Sequence, residues 1–150
     1  MKLLHTWILM MVIVLGLTQC NVTSNGGDPA PDPNIPKIQL LAGTSSKAWI
    51  LTSSKIDGDE VINQEPPCSR DDNMVYRTTK TYEWNEGGSK CNDKNPQVYD
   101  TGTWEFNAGE TEIILNKELR YTIVKLTANT LQISIKNVFG ETEELTFKPN

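Results

Sequence analysis

Histidine is almost missing from this chain: the single one, His5, sits in an apolar N-terminal stretch, and none follows it. Histidine triads and histidine-ligated metal centres are thereby excluded from the body of the protein, and any general acid or base would have to be Asp, Glu, Lys or Tyr. Long apolar runs are missing too. The uncharged run Trp7–Leu17 has eleven residues, and as helix it would reach about 16 Å, half of a ~30 Å hydrocarbon core. Behind the positive start Met1-Lys2 it reads as the apolar region of an export signal rather than a membrane span. Basic side chains are in deficit. Once Lys2 leaves with the signal, 13 basic face 19 acidic side chains, a formal net charge of −6. Nucleic acid and anionic membrane surfaces both need a positive footprint and are poor partners for such a surface.

The residues that close the signal, Leu17-Thr18-Gln19-Cys20, resemble a lipobox, with Gln19 standing where Gly, Ala or Ser is usual. The resemblance implies cleavage before Cys20 and acylation of its sulfur by palmitate-type chains, giving a lipid-anchored envelope protein. Asn21 is not the Asp that retains some lipoproteins in the inner membrane, so the expected location is the outer membrane. The alternative is an ordinary secretory signal cut nearby, with Cys20 left as a free thiol. Three cysteines leave one over in an oxidising compartment, and lipidation of Cys20 removes the odd one. Cys68 and Cys91 then remain as a pair enclosing 22 residues, and such a disulfide stabilises by about 3 kcal/mol in the chain-entropy model. Zinc is the competing use of two thiols, but the mature chain offers no imidazole to complete a site.

Residues 21–37 (NVTSNGGDPAPDPNIPK) hold four of the eight prolines and show no apolar periodicity. Proline favours extended polyproline II, so this segment reads as a spacer of at most about 3.1 Å per residue. The expected organisation is a signal over 1–19, a lipidated cysteine and tether over 20–37, and one folded domain over 38–150.

Within the domain the apolar period is two. Leu131, Ile133 and Ile135 alternate with polar residues, as do Leu119, Tyr121 and Ile123 before them and Leu145 and Phe147 after. Gly102–Phe106 and Glu112–Leu115 flank the turn Asn107-Ala108-Gly109. Met74–Arg77 and Thr81–Trp84 flank Thr78-Thr79-Lys80, and Ala48–Ile56 runs into the turn Asp57-Gly58-Asp59. Helix is confined to a turn or two over Ile38–Gly43, ending at a glycine suited to a helix C-terminus. About eight short strands joined by hairpins predict an all-β protein. The first choice is an antiparallel up-and-down barrel of the calycin type with room for side chains or one small ligand, and the alternative is a two-sheet β-sandwich.

The order of these features resembles the lipocalin-like domain lipoproteins of Gram-negative bacteria. It comprises a helical turn leading into a tryptophan strand (LLAGTSSKAWIL), Cys68 with Asp71-Asp72, a tyrosine hairpin, Cys91, Gly102-Thr103-Trp104 and a closing Tyr121–Thr127 run. The resemblance implies an eight-stranded lipocalin-like barrel held on the envelope by a lipidated cysteine. The chain departs from true lipocalins in lacking a Gly-x-Trp at the first strand, Gly43 lying six residues before Trp49, and in having no helix after the last strand. Ligand-binding residues are therefore not carried over.

The aromatics Trp49, Tyr82, Trp84, Trp104, Phe106 and Tyr121 are the candidate lining of an apolar cavity, or else a packed core. Asp71-Asp72-Asn73, Asp57-Gly58-Asp59 and Asn92-Asp93 are oxygen-rich but match no calcium-loop spacing. Asp71 and Asp72 read as shaping the start of the Met74 strand through turn bonds. Glu83, Glu105 and Glu112 fall on the polar faces of strands. No enzyme activity, cofactor or metal site is expected. The expected function is binding of a small apolar or amphipathic ligand, with a non-catalytic accessory lipoprotein of filled core as the alternative and its protein partner unknown.

Overall fold

The computed structural model describes residues 33–150; the signal, Cys20 and most of the tether lie outside the described residues. The first element is the helix α1 (Lys37–Ala42), which begins behind Pro36 and stops at Gly43. Gly43 has φ +65°, where a side chain is strained, and its N–H donates to the Gln39 carbonyl at 2.9 Å. The helix is six residues long because Pro36 sets its start and this glycine its end.

Nine strands follow. β1 (Ser46–Ile56) turns through Asp57 and Gly58, both at positive φ, into the two-residue β2 (Asp59–Glu60), the Asp-Gly pair supplying the backbone twist that a tight hairpin requires. Two single 3-10 turns, Ile62–Gln64 and Pro67–Ser69, lead to β3 (Asn73–Arg77) and β4 (Thr81–Asn85). Next come β5 (Val98–Phe106), β6 (Glu112–Leu115), β7 (Leu119–Leu126), β8 (Leu131–Lys136) and β9 (Thr142–Pro149). From β3 onward each strand pairs antiparallel with the next, and β1 pairs with both β3 and β9. The sheet is therefore a closed eight-stranded up-and-down barrel with β2 as an extra strand on β1. Closure leaves no second sheet, which removes the β-sandwich alternative.

β1 can touch both neighbours because it is long and bulged. Its first half faces β3 (Ser46–Ile50 against Asn73–Arg77), and its run from Trp49 to Ile56 faces β9, with a register shift at Thr52. The extra residue bends the strand around the barrel and changes which side chains turn inward, from Trp49 and Leu51 before it to Ser54 after it.

One end of the barrel is filled. Trp49, Tyr76, Trp104, Ile113, Leu126, Leu131 and Ile133 pack there beneath Leu40, Leu41 and Ala42 of α1, which plugs the opening. The Trp49 indole N–H donates to the Leu41 carbonyl at 2.8 Å, and that of Trp104 to the Arg77 carbonyl at 3.0 Å, so neither buried ring leaves a polar atom unpaired. Tyr76 meets Trp104 edge-on at 5.7 Å between centroids, and Phe106 meets Trp104 at 5.2 Å. Each of the largest rings removes about 200 Å² from water, about 5 kcal/mol before conformational entropy is subtracted. Lys47 lies over the Trp49 ring at 4.1 Å and donates to the carbonyls of Leu40 and Ala128, fastening the helix to the β7–β8 turn.

Candidate ligand cavity

The other end of the barrel is open inside. Inward positions continue with period two toward it, and here the side chains stop short of one another around a cavity of about 440 Å³. Leu51, Met74, Leu115, Leu119, Leu145 and Phe147 form its apolar wall. Trp84, Tyr82 and Tyr121 add aromatic faces. Trp84 reaches the rim, where it is 45% exposed and lies 5.2 Å from the Tyr99 ring.

Two polar features interrupt this wall. At the β4–β5 side the Tyr82 hydroxyl donates to Asp100 Oδ2 at 2.5 Å and accepts from Asn116 Nδ2 at 2.9 Å, while Asn116 Oδ1 accepts the Thr103 N–H at 3.0 Å. Asn116 reaches this position from the β6–β7 turn by lying across Gly102, where any Cβ would overlap its amide. Burial and the adjoining Asp100 carboxylate push the Tyr82 phenol up to about 12. Burial, then Glu143, raises Tyr121 as well.

The second feature is the roof, made by the segment between β2 and β3. Arg70 is folded back on this segment, its Nε and Nη2 donating to the Glu65 carbonyl at 3.2 and 2.9 Å and Nη2 also to the Asn63 carbonyl at 3.4 Å. Cys68 in the roof is disulfide-bonded to Cys91 in the β4–β5 loop, with their Cα atoms 5.1 Å apart, so the expected pairing is present. Beside it, Asp71 Oδ2 accepts the Gly88 N–H at 2.8 Å, and Gly87 packs so closely on the Asp71 carbonyl that a Cβ has no room. Glu86 is fully buried, with Asn95 donating to its Oε1 at 3.1 Å. The Tyr99 hydroxyl holds its carboxyl below the usual range, with Asn95 and Lys90 assisting against the cost of burial. Asp72 responds oppositely. Burial, with Glu86 and Asp71 adding like charge, pushes it up to about 6. Its Oδ1 is buried without a hydrogen-bond partner, as is Asp71 Oδ1.

Of the six aromatics expected to line a cavity, the barrel brings Tyr82, Trp84 and Tyr121 together around it. Trp49, Trp104 and Phe106 do not line it: they belong to the filled end, because Trp49 lies on β1 before the strand reaches the cavity and β5 carries Trp104 and Phe106 past the cavity toward α1. The interior is packed at the α1 end and holds the cavity at the other, so the core is not filled throughout. Glu83, Glu105 and Glu112 lie on the outer face as expected, Glu83 paired with Arg77 at 2.9 Å and Glu112 with Arg120 at 3.2 Å. Asp100 and Glu143 line the cavity and were within reach of sequence reasoning. The alternation Trp104, Gly102 leads on to Asp100, and Phe147, Leu145 to Glu143, had those strands been extended toward their N-termini. Asp72 and Arg70 carried no periodic signal, because they sit in the roof. Among the described residues no group of three or more His, Cys, Asp or Glu is arranged to hold a metal ion.

A closed antiparallel barrel, plugged at one end by a helix and hollow at the other, defines a lipocalin-type fold. A family model of the lipocalin-like domain matches residues 46–133, over half of the chain, and the chain belongs to that family. No curated protein matches the sequence.

Proposed function

We propose that this protein is an envelope lipoprotein whose barrel binds a small apolar or amphipathic molecule in the open half of its interior. The observation that carries the reading is the cavity itself: about 440 Å³, above the ~300 Å³ at which ligand sites begin, with a mostly apolar wall and a few oriented polar groups. The lipocalin-like family and its barrel support the same reading. Lipidation at Cys20 and the proline-rich tether would hold the open barrel near the outer membrane, where apolar molecules are at hand.

The binding test uses a Cys20→Ser protein, which has no acylation site, and the neutral probe N-phenyl-1-naphthylamine. Saturable fluorescence enhancement is expected, abolished in Leu145→Trp while cooperative unfolding persists. No enhancement, together with nothing retained from a lipid extract in native mass spectrometry, would end the reading. The anchoring test is incorporation of labelled palmitate followed by membrane fractionation, with loss of label expected in Cys20→Ser. Label retained in that variant would remove Cys20 as the anchor.

A non-catalytic accessory role with a protein partner has one observation in its favour. The β8–β9 hairpin exposes Val138 and Phe139 almost completely, at 94% and 84%, and two adjacent apolar side chains in solvent suit a docking contact. Crosslinking from position 138 in intact cells tests it, and recovery of no specific adduct would dismiss it.

A further inference from the structure

We propose that the cavity selects amphiphiles with a cationic head, an amine or quaternary ammonium on an apolar body, over neutral and anionic ones of the same length. The inference rests on the ligand-binding reading of the same cavity and adds the charge class of what it takes.

The argument begins with the charged groups that line it. Glu65, Asp72, Asp100 and Glu143 contribute four carboxyl groups against the single guanidinium of Arg70. Arg70 is turned back onto the roof, its Nε and Nη2 donating to the Asn63 and Glu65 carbonyls, which leaves one guanidinium against four carboxyl groups. Asp100 is partly compensated by the Tyr82 hydroxyl on one oxygen and the Thr101 N–H on the other. Asp72 has no such relief. Its Oδ1 is buried and unpartnered, with Asp71 and Glu86 adding negative charge beside it. A buried acceptor without a donor is costly, and a ligand cation beside the Asp72 carboxyl, where that residue lines the cavity, would offset the like-charge repulsion.

Burial is the first cause of the raised Asp72 carboxyl and favours no ion of either sign, but the negative charge that Glu86 and Asp71 add beside it would draw a ligand cation. At pH 7.5 the carboxyl is ionised. The rings of Tyr82, Trp84 and Tyr121 add π faces that favour a cation over an anion. Beneath them Leu115, Leu119 and Leu145 receive the apolar body. An incoming carboxylate would meet four acids against one guanidinium, so the wall that accepts its chain would on balance repel its head.

The experiment measures displacement of N-phenyl-1-naphthylamine from the Cys20→Ser protein at pH 7.5 in EDTA and moderate salt. The competitors are dodecyltrimethylammonium, dodecylamine, dodecanol and dodecanoate, each below its micelle concentration. Both cations are expected to displace the probe at concentrations at least tenfold below dodecanol, with dodecanoate weaker than dodecanol. Asp72→Asn combined with Glu143→Gln should abolish the cation advantage, read as the ratio of cation to dodecanol displacement within the same protein. If dodecanol displaces the probe and the cations do no better, the charge selectivity is wrong and the cavity-binding reading stands. A cation advantage that survives in the double variant would place the attraction on the outer surface and overturn the proposal. If neither the probe nor any of the four amphiphiles binds, by fluorescence or by native mass spectrometry, both readings fail.

Discussion

Replacing Asp72 by Asn should make the protein more stable at neutral pH, although it alters a residue of the candidate site. The structure gives the reason. The carboxyl is pushed from an ordinary 3.8 up to about 6, first by burial and then by Glu86 and Asp71, so folding opposes its ionisation. Taken at full strength the gap corresponds to about 3 kcal/mol. Asp72 is only half-buried, and solvent screening reduces the effect to about 1 kcal/mol. The sign follows from proton binding. Between pH 4 and 6 the native state holds a proton that the unfolded state has released, so this group makes stability fall as pH rises across that window. Above pH 6 the whole penalty is present, and below the unfolded value it is gone. An amide of the same shape carries no charge and can donate to the neighbouring acids. In a domain of this size about 1 kcal/mol corresponds to about 4 °C in melting temperature. Thermal unfolding followed by circular dichroism from pH 4 to 8 is the assay, and comparing the two proteins cancels the titration of carboxylates remote from Asp72, such as Glu60 and Glu83. Asp72→Asn should melt about 4 °C higher at pH 7.5 and converge with the parent near pH 4. A variant that melts lower at pH 7.5, or a difference that does not depend on pH, would refute the account of a carboxylate held against its own preference.

Other perturbations follow from the same geometry. Reducing the Cys68–Cys91 disulfide, whose partners are 23 residues apart, should cost about 3 kcal/mol, measured as the shift in urea unfolding with and without reductant. A loss under ~1 kcal/mol would mean that the roof is held without it. Trp49→Phe strands the Leu41 carbonyl that the indole now reaches at 2.8 Å and should cost about 2 kcal/mol, read by the same assay; a neutral result would deny the helix plug its anchor. Gly102→Ala forces Asn116 off the Tyr82 hydroxyl and the Thr103 N–H and should lose about 1–3 kcal/mol, whereas Gly109→Ala, whose Cβ would meet only Thr111 at an ordinary 3.8 Å, should cost under ~1 kcal/mol.

Much of the barrel was legible because hairpins repeat a local rule. Alternation at Leu131–Lys136, Leu119–Ile123 and Gly102–Phe106 marks an inner and an outer face, and each of these segments is a strand or part of one. The legible part ended where the alternation weakens. Val98–Thr101 and Thr142–Glu144 carry polar residues inward around the open end, so the pattern that announces a strand fades where the strand approaches the cavity. The bulge at Thr52 is invisible in the same sense, since a one-residue slip in β1 reads as ordinary sequence until β9 pairs across it. The roof between β2 and β3 has no period at all, and its two polar residues at the cavity, Arg70 and Asp72, lay beyond any pattern argument.

What the sequence by itself determined is the face taken by side chains in the regular stretches of strand. Period-two alternation, turn residues at Asp57-Gly58 and Asn107–Gly109, and the stop at Gly43 are local properties, and they specify hairpin order and the inward set away from the β1 bulge and the cavity ends of β5 and β9. What only the tertiary structure decided is depth along the barrel. Trp49, Trp84 and Trp104 all point inward, yet two are sealed under α1 and one stands at the rim. The difference comes from the closing pair β1–β9 and from where the helix docks, contacts between residues far apart in the chain. The environment of Asp72 was decided the same way, since its unpartnered oxygen and its neighbour Glu86 meet only when the disulfide loop folds against the roof.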